Sequence, residues 1–389
     1  MSRLRTLPAD DPGLAAAVAR MLDGGPAIAP LPADPGAATA TLAMLRPDEP
    51  LVETDAGLVV GTSGSTGEPK GVVLSRAAIR AGVAATHARL GGTGNWTLAV
   101  PAHYVAGILV VARAVAAGTS LFAVDADLHD LPDQSGLDTG SSERNYLSLV
   151  PTQLVRALDR PDVLSRLARY DAILLGGAAA DPGVLAHARA AGLTIITTYG
   201  MSETSGGCVY DGVPLDGVTI DLHGRGDPEA GGGRVSITGP VVFSGYRLRP
   251  DLTAKVLDGA TLHTRDRARW DGSESGPSRL EILGRIDDVV VSGGVNVDLA
   301  AVEKVLKELD PQGAVVGVRD PEWGTRIIAA VTIPTTLPEL RARLHTLEPA
   351  AKPLGLLRHP RLPHTSSGKI DRQELIAWWT AGPAEKEVL

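Results

Sequence analysis

Residues 58–75 read LVVGTSGSTGEPKGVVLS. An apolar run ends at Gly61, three further glycines, Gly64 and Gly67 before Lys70 and Gly71 after it, alternate with Thr62, Ser63, Ser65 and Thr66, and a second apolar run follows. Glycines let backbone N–H groups approach phosphate oxygens, hydroxyls add donors, and a lysine supplies the compensating charge. The stretch reads as a polyphosphate cradle. The P-loop of kinases and GTPases needs Gly-Lys-Ser/Thr in direct succession opening a helix, whereas Glu68 and Pro69 here separate Gly67 from Lys70. That reading fails on spacing.

Outward from this loop, short apolar runs alternate with longer amphipathic ones: LVV, LSRAAIRAGVAATHARL, WTLAV, GILVVARAVAAG and SLFAV, then NYLSLV, QLVRALDR, DAILLGG, a helix over 182–191 and TIITTYG. Strand and helix in alternation predict an α/β layered fold. Uninterrupted apolar strands such as AILLG predict a central sheet covered on both faces. Upstream, LAAAVARML reads as a helix, and SGLDTGSSERN, around 135–145, as a surface loop. After residue 230 the texture turns β-rich, in GRVSITGPVVFSGY, TLHTRDRARW and RLEILGRIDDVVVSGG. VDLAAVEKVLKEL carries an apolar stripe at helical spacing with Asp298 as N-cap. The expected organisation is a large α/β domain with a β-rich subdomain over 1–286 and a small α+β domain over 287–389.

Composition narrows the function. The 389 residues suit one large and one small domain. A 44% hydrophobic, 21% charged chain is that of a globular protein. A net charge of −8 argues against a polyanion-binding surface, so nucleic acid is not an expected partner. One cysteine, Cys208, excludes an internal disulfide and a multi-cysteine metal site, which suits a reducing cytoplasm. No apolar leader region opens MSRLRTLPAD and no segment reads as membrane-inserting, so a cytoplasmic location is expected. Among only seven lysines, Lys70 and Lys369 each stand in a Gly/Ser-containing loop.

TSGSTGEPKG (62–71), GGAAA (176–180), YGMSET (199–204), GRIDD (284–288) and TSSGKIDR (365–372) follow one another in this order. Together they resemble the adenylate-forming superfamily of acyl-CoA synthetases, luciferase-like enzymes and peptide-synthetase adenylation domains, over about residues 58–375. The resemblance implies an acyl-CoA synthetase-like fold, N-terminally shortened, with a mobile C-terminal domain, and ATP, Mg²⁺ and CoA as cofactor and co-substrates. It assigns the pyrophosphate to Thr62, Ser63, Gly64, Ser65, Thr66, Gly67 and Lys70, the adenine to Gly176, Gly177, Ala178, Tyr199 and Gly200, and the α-phosphate to Ser202, where threonine is usual. Glu203 would ligate the metal. Asp266 and Arg285 would approach the ribose, with Arg265 replacing the usual glycine beside that aspartate. Asp287 would be the hinge, and Lys369 would stabilise charge between the attacking carboxylate and the α-phosphate.

PAHYVAG (101–107) holds no carboxylate for a substrate ammonium, which disfavours an amino acid. With SLVPTQLVRAL and SETSGGCVYDGVPLDGV it resembles the actinobacterial group of o-succinylbenzoate:CoA ligases in menaquinone biosynthesis. Another aryl- or short acyl-CoA ligase is the nearest alternative, and a nucleotide-binding pseudoenzyme one of another class. The resemblance places His103, Tyr104, Thr204 and Ser205 about the acid, His103 being equally readable as a structural histidine. The partners implied are ATP, an aromatic carboxylic acid and CoA, with a homodimer left open.

Overall fold

The structure, a computed structural model, describes residues 3–53, 55–62, 69–224, 232–272, 278–365 and 369–389. It divides into two compact units. The first comprises Met1–Asp221, Ser236–Thr264 and Asp271–Leu280, the second Leu222–Val235, Arg265–Trp270 and Glu281–Leu389.

The chain begins with β1 (Arg5–Pro8), α1 (Leu14–Leu22), β2 (Ile28–Leu31), α2 (Pro35–Leu45), β3 (Ala56–Thr62), β4 (Lys70–Ser75) and α3 (Arg76–Arg89). Next come β5 (Asn95–Leu98), α4 (Val105–Ala117), β6 (Leu121–Ala123), α5 (Gln134–Asp138), β7 (Asn145–Leu149), α6 (Pro151–Leu158) and α7 (Pro161–Leu167). Then follow β8 (Ala172–Leu175), α8 (Pro182–Ala190), β9 (Ile195–Met201), β10 (Gly206–Tyr210) and β11 (Val213–Pro214). The β-rich part supplies β12 (Thr219–His223), β13 (Gly233–Thr238), β14 (Gly245–Tyr246), α9 (Pro250–Val256), β15 (Leu257–Asp258), β16 (Thr261–Trp270) and β17 (Leu280–Arg285).

Two sheets build the first unit. One runs β1-β2-β3-β4-β14, parallel through β3 and antiparallel beyond it. Its central strands alternate with period two: Leu58, Val60, Val72 and Leu74 join one core cluster, Val59 and Val73 the other. Both faces are therefore covered, which is why LVV and VVL carry no polar alternation. The other sheet runs β11-β10-β9-β8-β7-β5-β6, with β9, β8, β7, β5 and β6 parallel. The layered α/β expectation is borne out. Helix α3 starts where Ser75 Oγ accepts from Ala78 N at 3.0 Å, satisfying one of the N–H groups a helix start leaves open.

One expectation changes. Within the segment read as a loop, Asp133 Oδ1 accepts from Gly136 N at 2.9 Å and starts the short α5, which buries Leu137 to 1% exposure. A cap and one apolar anchor suffice for a single turn against a core.

The second unit ends the chain with β18 (Val289–Ser292), β19 (Val295–Asp298), α10 (Leu299–Lys307), β20 (Ala314–Asp320), β21 (Gly324–Val331), α11 (Leu337–Arg343), β22 (Gly355–Arg358), α12 (Arg372–Ala381) and β23 (Glu385–Val388). Its sheet runs β19-β18-β21-β22-β23, with β20 on β21. Val315, Ile327 and Ala329 pack on one face with Val302 and Leu306 of α10, while Val316, Ile328 and Ala330 pack on the other with Leu375 of α12. Asp298 caps α10 by accepting from Ala300 N at 2.9 Å, as its position in the sequence predicts. Among the described residues no helix is long and apolar enough to cross a membrane.

Between the helices and the parallel sheet of the first unit, Trp96 donates its indole N–H to His87 Nε2 at 3.3 Å, and the Arg113 guanidinium stacks 5.0 Å from the Trp96 ring. Burial first, and then the Arg113 charge, push the imidazole pKa down to about 4. Between pH about 6.5 and 4 the unfolded chain then holds more protons at this residue than the folded one, so stability falls as acid is added across that window. Wild type is expected to lose about 3 kcal/mol from this group between those limits, a loss His87→Gln escapes. Urea unfolding of both proteins at the two pH values measures it, and equal losses would refute it.

Candidate active site

Lys70 opens a strand, not a helix. It stands opposite Thr62 in the β3–β4 pairing, with Gly61 opposite Gly71. The two residues flank the expected cradle, whose Ser63, Gly64, Ser65, Thr66 and Gly67 lie outside the described residues. Because Lys70 opens a strand paired with β3, the P-loop reading fails on structural grounds as well.

Strand β14 then lies along β4, with Gly245 opposite Val73 and Tyr246 opposite Val72. This puts the Tyr246 ring under the Lys70 ammonium, 4.7 Å from Nζ to centroid. The Tyr246 hydroxyl donates to Glu203 Oε1 at 2.8 Å, and Phe243 N donates to Glu203 O at 2.9 Å. Burial and then the Glu203 carboxylate push the phenol pKa far up, so it is a donor at any working pH. Lys70, Tyr246 and Glu203 thus form one cluster, two of whose members the sequence reading names.

Glu203 sits in the 3₁₀ turn Ser202–Thr204 that links β9 to β10. The turn is tight because Gly200 lacks a side chain: a Cβ there would lie 2.1 Å from Gly206 O. The Thr204 hydroxyl accepts from Met201 N at 2.9 Å and donates to Gly206 O at 2.8 Å. Ser205 adopts the left-handed region, φ 52°, and its Oγ donates to Val241 O at 2.8 Å. Both are buried. These hydroxyls hold the turn in shape, each satisfied by backbone partners as buried polar groups require.

The remaining motif residues of this unit gather at the carboxyl ends of the parallel strands. Gly176, Gly177 and Ala178 follow β8, where a Cβ on Gly176 would meet Thr198 Oγ1 at 2.3 Å and Gly177 has φ +86°. Tyr199 and Gly200 lie near the end of β9. His103 and Tyr104 follow β5, with Tyr104 capping α4. β5 pairs with β6 on one side and β7 on the other, so the chain leaves β5 in one direction for β6 and returns across it for β7. Ligands of open α/β sheets bind at the carboxyl edge beside such a reversal. His103 is half-buried, 4.0 Å from the Tyr104 ring between centroids, and its pKa is lowered by desolvation, which keeps the imidazole neutral.

In the second unit, Asp266 is 7% exposed on β16, and Arg285, at the end of β17, places Nη1 3.5 Å from its Oδ1. Arg285 Nη2 also lies 3.2 Å from Asp287 Oδ2. Arg265 Nη1 donates to Asp287 Oδ1 at 2.8 Å. The arginine that replaces the family's glycine therefore pairs with the expected hinge acid. At Lys369, Thr365 N donates to Lys369 O at 2.7 Å and His364 forms an antiparallel bridge with Ile370. Although the side chain keeps solvent exposure, its pKa is lowered, by desolvation first and then by Arg285, with Asp266 opposing. Asp266, Arg285 and Lys369 thus share one electrostatic neighbourhood.

Residues 8–261 match the family described as AMP-binding enzyme. The chain belongs to that family. Among curated relatives, it is 40% identical over 347 residues, 86% of this chain and 87% of the relative, to a probable 2-succinylbenzoate--CoA ligase of Mycobacterium tuberculosis. It is 28% identical to the 2-succinylbenzoate--CoA ligase of Enterococcus faecalis, covering 82% of this chain and 68% of that one. Among solved structures, o-succinylbenzoate CoA synthetase of Bacillus subtilis in complex with the acyl-adenylate intermediate superposes with a TM-score of 0.72 at 22% identity, over 96% of this chain and 82% of that one. The amide bond synthetase of Marinactinospora thermotolerans gives 0.70 at 26%, over 84% and 70%.

For an AMP-binding enzyme the donor set around Glu203 suits magnesium. Among the described residues no group of three His, Cys, Asp or Glu could hold a metal. Mg²⁺ with a nucleotide asks for less: one or two carboxylates, with phosphates and water completing the octahedron. Glu203, whose Oε1 is anchored by the Tyr246 hydroxyl, fits that demand. The sequence reading missed Tyr246. Its signal is the Gly-Tyr pair of SGYRLRP after an apolar run, which by itself reads as a turn.

Gly200→Ala forces a methyl into the backbone of Gly206 and Gly207. It is expected to destabilise the protein by about 2 kcal/mol and to weaken ATP binding, as the Glu203 turn shifts. Urea unfolding and ATP titration calorimetry check it; wild-type values in both would show that the turn tolerates the side chain.

Proposed function

We propose that this AMP-binding enzyme is an ATP-dependent, AMP-forming ligase that converts 2-succinylbenzoate and CoA to 2-succinylbenzoyl-CoA through an acyl-adenylate, the step its M. tuberculosis and E. faecalis relatives are named for. The observation that carries the reading is the Lys70–Tyr246–Glu203 cluster, in a chain 40% identical to such a ligase over most of both lengths.

In the first half-reaction a carboxylate oxygen of the acid attacks the α-phosphorus of ATP. The bond to the β-phosphate oxygen breaks, and pyrophosphate leaves. Thr62 and Lys70, with the cradle between them, are proposed to hold the departing charge, and Ser202 to donate to the α-phosphate. Glu203 would hold Mg²⁺, whose chemistry is to neutralise charge on the phosphate oxygens. Asp266 and Arg285 are proposed to hold the ribose, Tyr199 with Gly176, Gly177 and Ala178 the adenine. Lys369, in the company of Arg285 and Asp266, is proposed to stabilise the negative charge that grows between carboxylate and phosphate, an electrostatic contribution of about 3–4 kcal/mol. In the second half-reaction the CoA sulfur attacks the acyl carbon, its thiol proton is lost, the acyl–oxygen bond breaks and AMP leaves. A rotation about Asp287 between the two steps is the proposed conformational change. His103 and Tyr104, at the strand reversal, are the proposed acid-pocket residues.

A panel of acids tests the substrate. Under CoA-dependent AMP release, kcat/KM for 2-succinylbenzoate should exceed that for benzoate by about 100-fold, since a site with donors for a second carboxylate rejects acids that lack it. Equal values for benzoates or short fatty acids would assign the chain to another acyl-CoA ligase, and absence of acid-dependent pyrophosphate release would make it a nucleotide-binding protein without this activity. Lys369→Ala separates the half-reactions: acyl-adenylate formation should fall by about 10²–10³-fold, with thioester formation from supplied acyl-adenylate largely kept. Equal loss of both steps would remove the assigned role.

A further inference from the structure

Tyr246 stands in none of the motifs that the sequence singles out, yet it touches residues of two. Its hydroxyl donates to Glu203 Oε1 at 2.8 Å, and its ring lies 4.7 Å below Lys70 Nζ. The side chain is 6% exposed and leans edge-on against Phe243, 4.9 Å between centroids. Its backbone is fixed opposite Val72, two residues from Lys70, and Tyr246 N accepts no freedom either, since it donates to Thr253 Oγ1 at 2.8 Å. A buried phenol needs some acceptor, and a backbone carbonyl would satisfy it. Here the acceptor is a carboxylate, so the bond is charge-assisted and directional. The electron-rich ring face at the same time attracts the ammonium above it.

We propose that Tyr246 is a positioning residue for the nucleotide's phosphates: its hydroxyl aims the Glu203 carboxylate at the divalent cation, and its ring holds the Lys70 ammonium in place. One rigid side chain thereby couples the metal side of the triphosphate to the pyrophosphate side. The inference rests on the ATP-dependent reading above and adds to it a residue that touches neither nucleotide nor acid.

Two substitutions divide the roles. Tyr246→Phe removes the hydroxyl and keeps the ring, whereas Tyr246→Leu removes both. ATP binding is followed by titration calorimetry across a range of Mg²⁺ concentrations, with thermal unfolding as the check on folding. Tyr246→Phe should bind ATP without metal within about twofold of wild type, yet need about tenfold more Mg²⁺ to reach full affinity. Tyr246→Leu should in addition lose metal-free affinity by about fivefold. In a Glu203→Gln background, Tyr246→Phe should add nothing further to the Mg²⁺ requirement, because the hydroxyl acts through that carboxylate.

An unchanged Mg²⁺ requirement in Tyr246→Phe would overturn the inference. So would equal losses of metal-free and metal-loaded affinity, which mark general damage, or full additivity with Glu203→Gln. A wild-type protein that binds no ATP at any Mg²⁺ concentration would sink the ligase reading itself, and this inference with it.

Discussion

Arg247 N donates to Gly71 O at 2.7 Å, and this backbone hydrogen bond on the seam of β4 and β14 settles where Lys70, Tyr246 and Glu203 stand. The seam closes because Gly71 has no side chain: a Cβ would lie 2.6 Å from Leu45 Cδ2 and 3.0 Å from Arg247 Cβ. The Arg247 guanidinium, 2% exposed as a residue, runs under the strand and donates to the carbonyls of Leu45, Arg46 and Pro50 and, closest of all, Glu49. Burying a charged fork is tolerated only where its N–H groups find acceptors, and the carbonyls of the bend at the end of α2 supply them. The pair Tyr246–Arg247 thus points one side chain toward Lys70 and Glu203 and the next into the scaffold, as alternation along an extended chain requires.

The rest of the first unit serves the same edge. Parallel strands β5, β7, β8 and β9 deliver their following loops to one edge of the sheet, so residues as distant in sequence as Tyr104, Gly176 and Tyr199 are brought to that edge. Glycine appears where backbone must pass backbone, at Gly200 against Gly206, and threonine and serine hydroxyls lock the resulting turn. The second unit carries its charges in a chain of alternating sign, Arg265–Asp287–Arg285–Asp266, with Lys369 sensing the last two.

Much of this was legible in the sequence. Apolar runs bounded by glycine and proline marked the buried strands, because a strand covered on both faces needs no polar alternation, and the start of α10 announced itself through Asp298. Motif order marked the family. The sequence was less informative where one residue type serves two ends. A serine or threonine after a strand looks the same whether its hydroxyl meets a ligand or, as with Thr204 and Ser205, the backbone. Five residues near Asp133 looked like loop, because one capping carboxylate and one buried leucine leave little periodicity to read. Tyr246 was invisible for a different reason: its partners, Lys70 and Glu203, are far away along the chain, and only the sheet register brings them together.

That register also has a cost in time. Val73 and Gly245 pair across 172 positions of sequence, and contacts of such separation slow the search for the native state, because a long loop must close before the pairing stabilises anything. During synthesis β4 leaves the ribosome long before β14 exists. Until then β4 is an unpaired sheet edge of Val72, Val73 and Leu74, a template for stray strands. The Lys70–Tyr246–Glu203 cluster is therefore among the last parts of the first unit to mature, and the same late pairing that completes it also covers this edge.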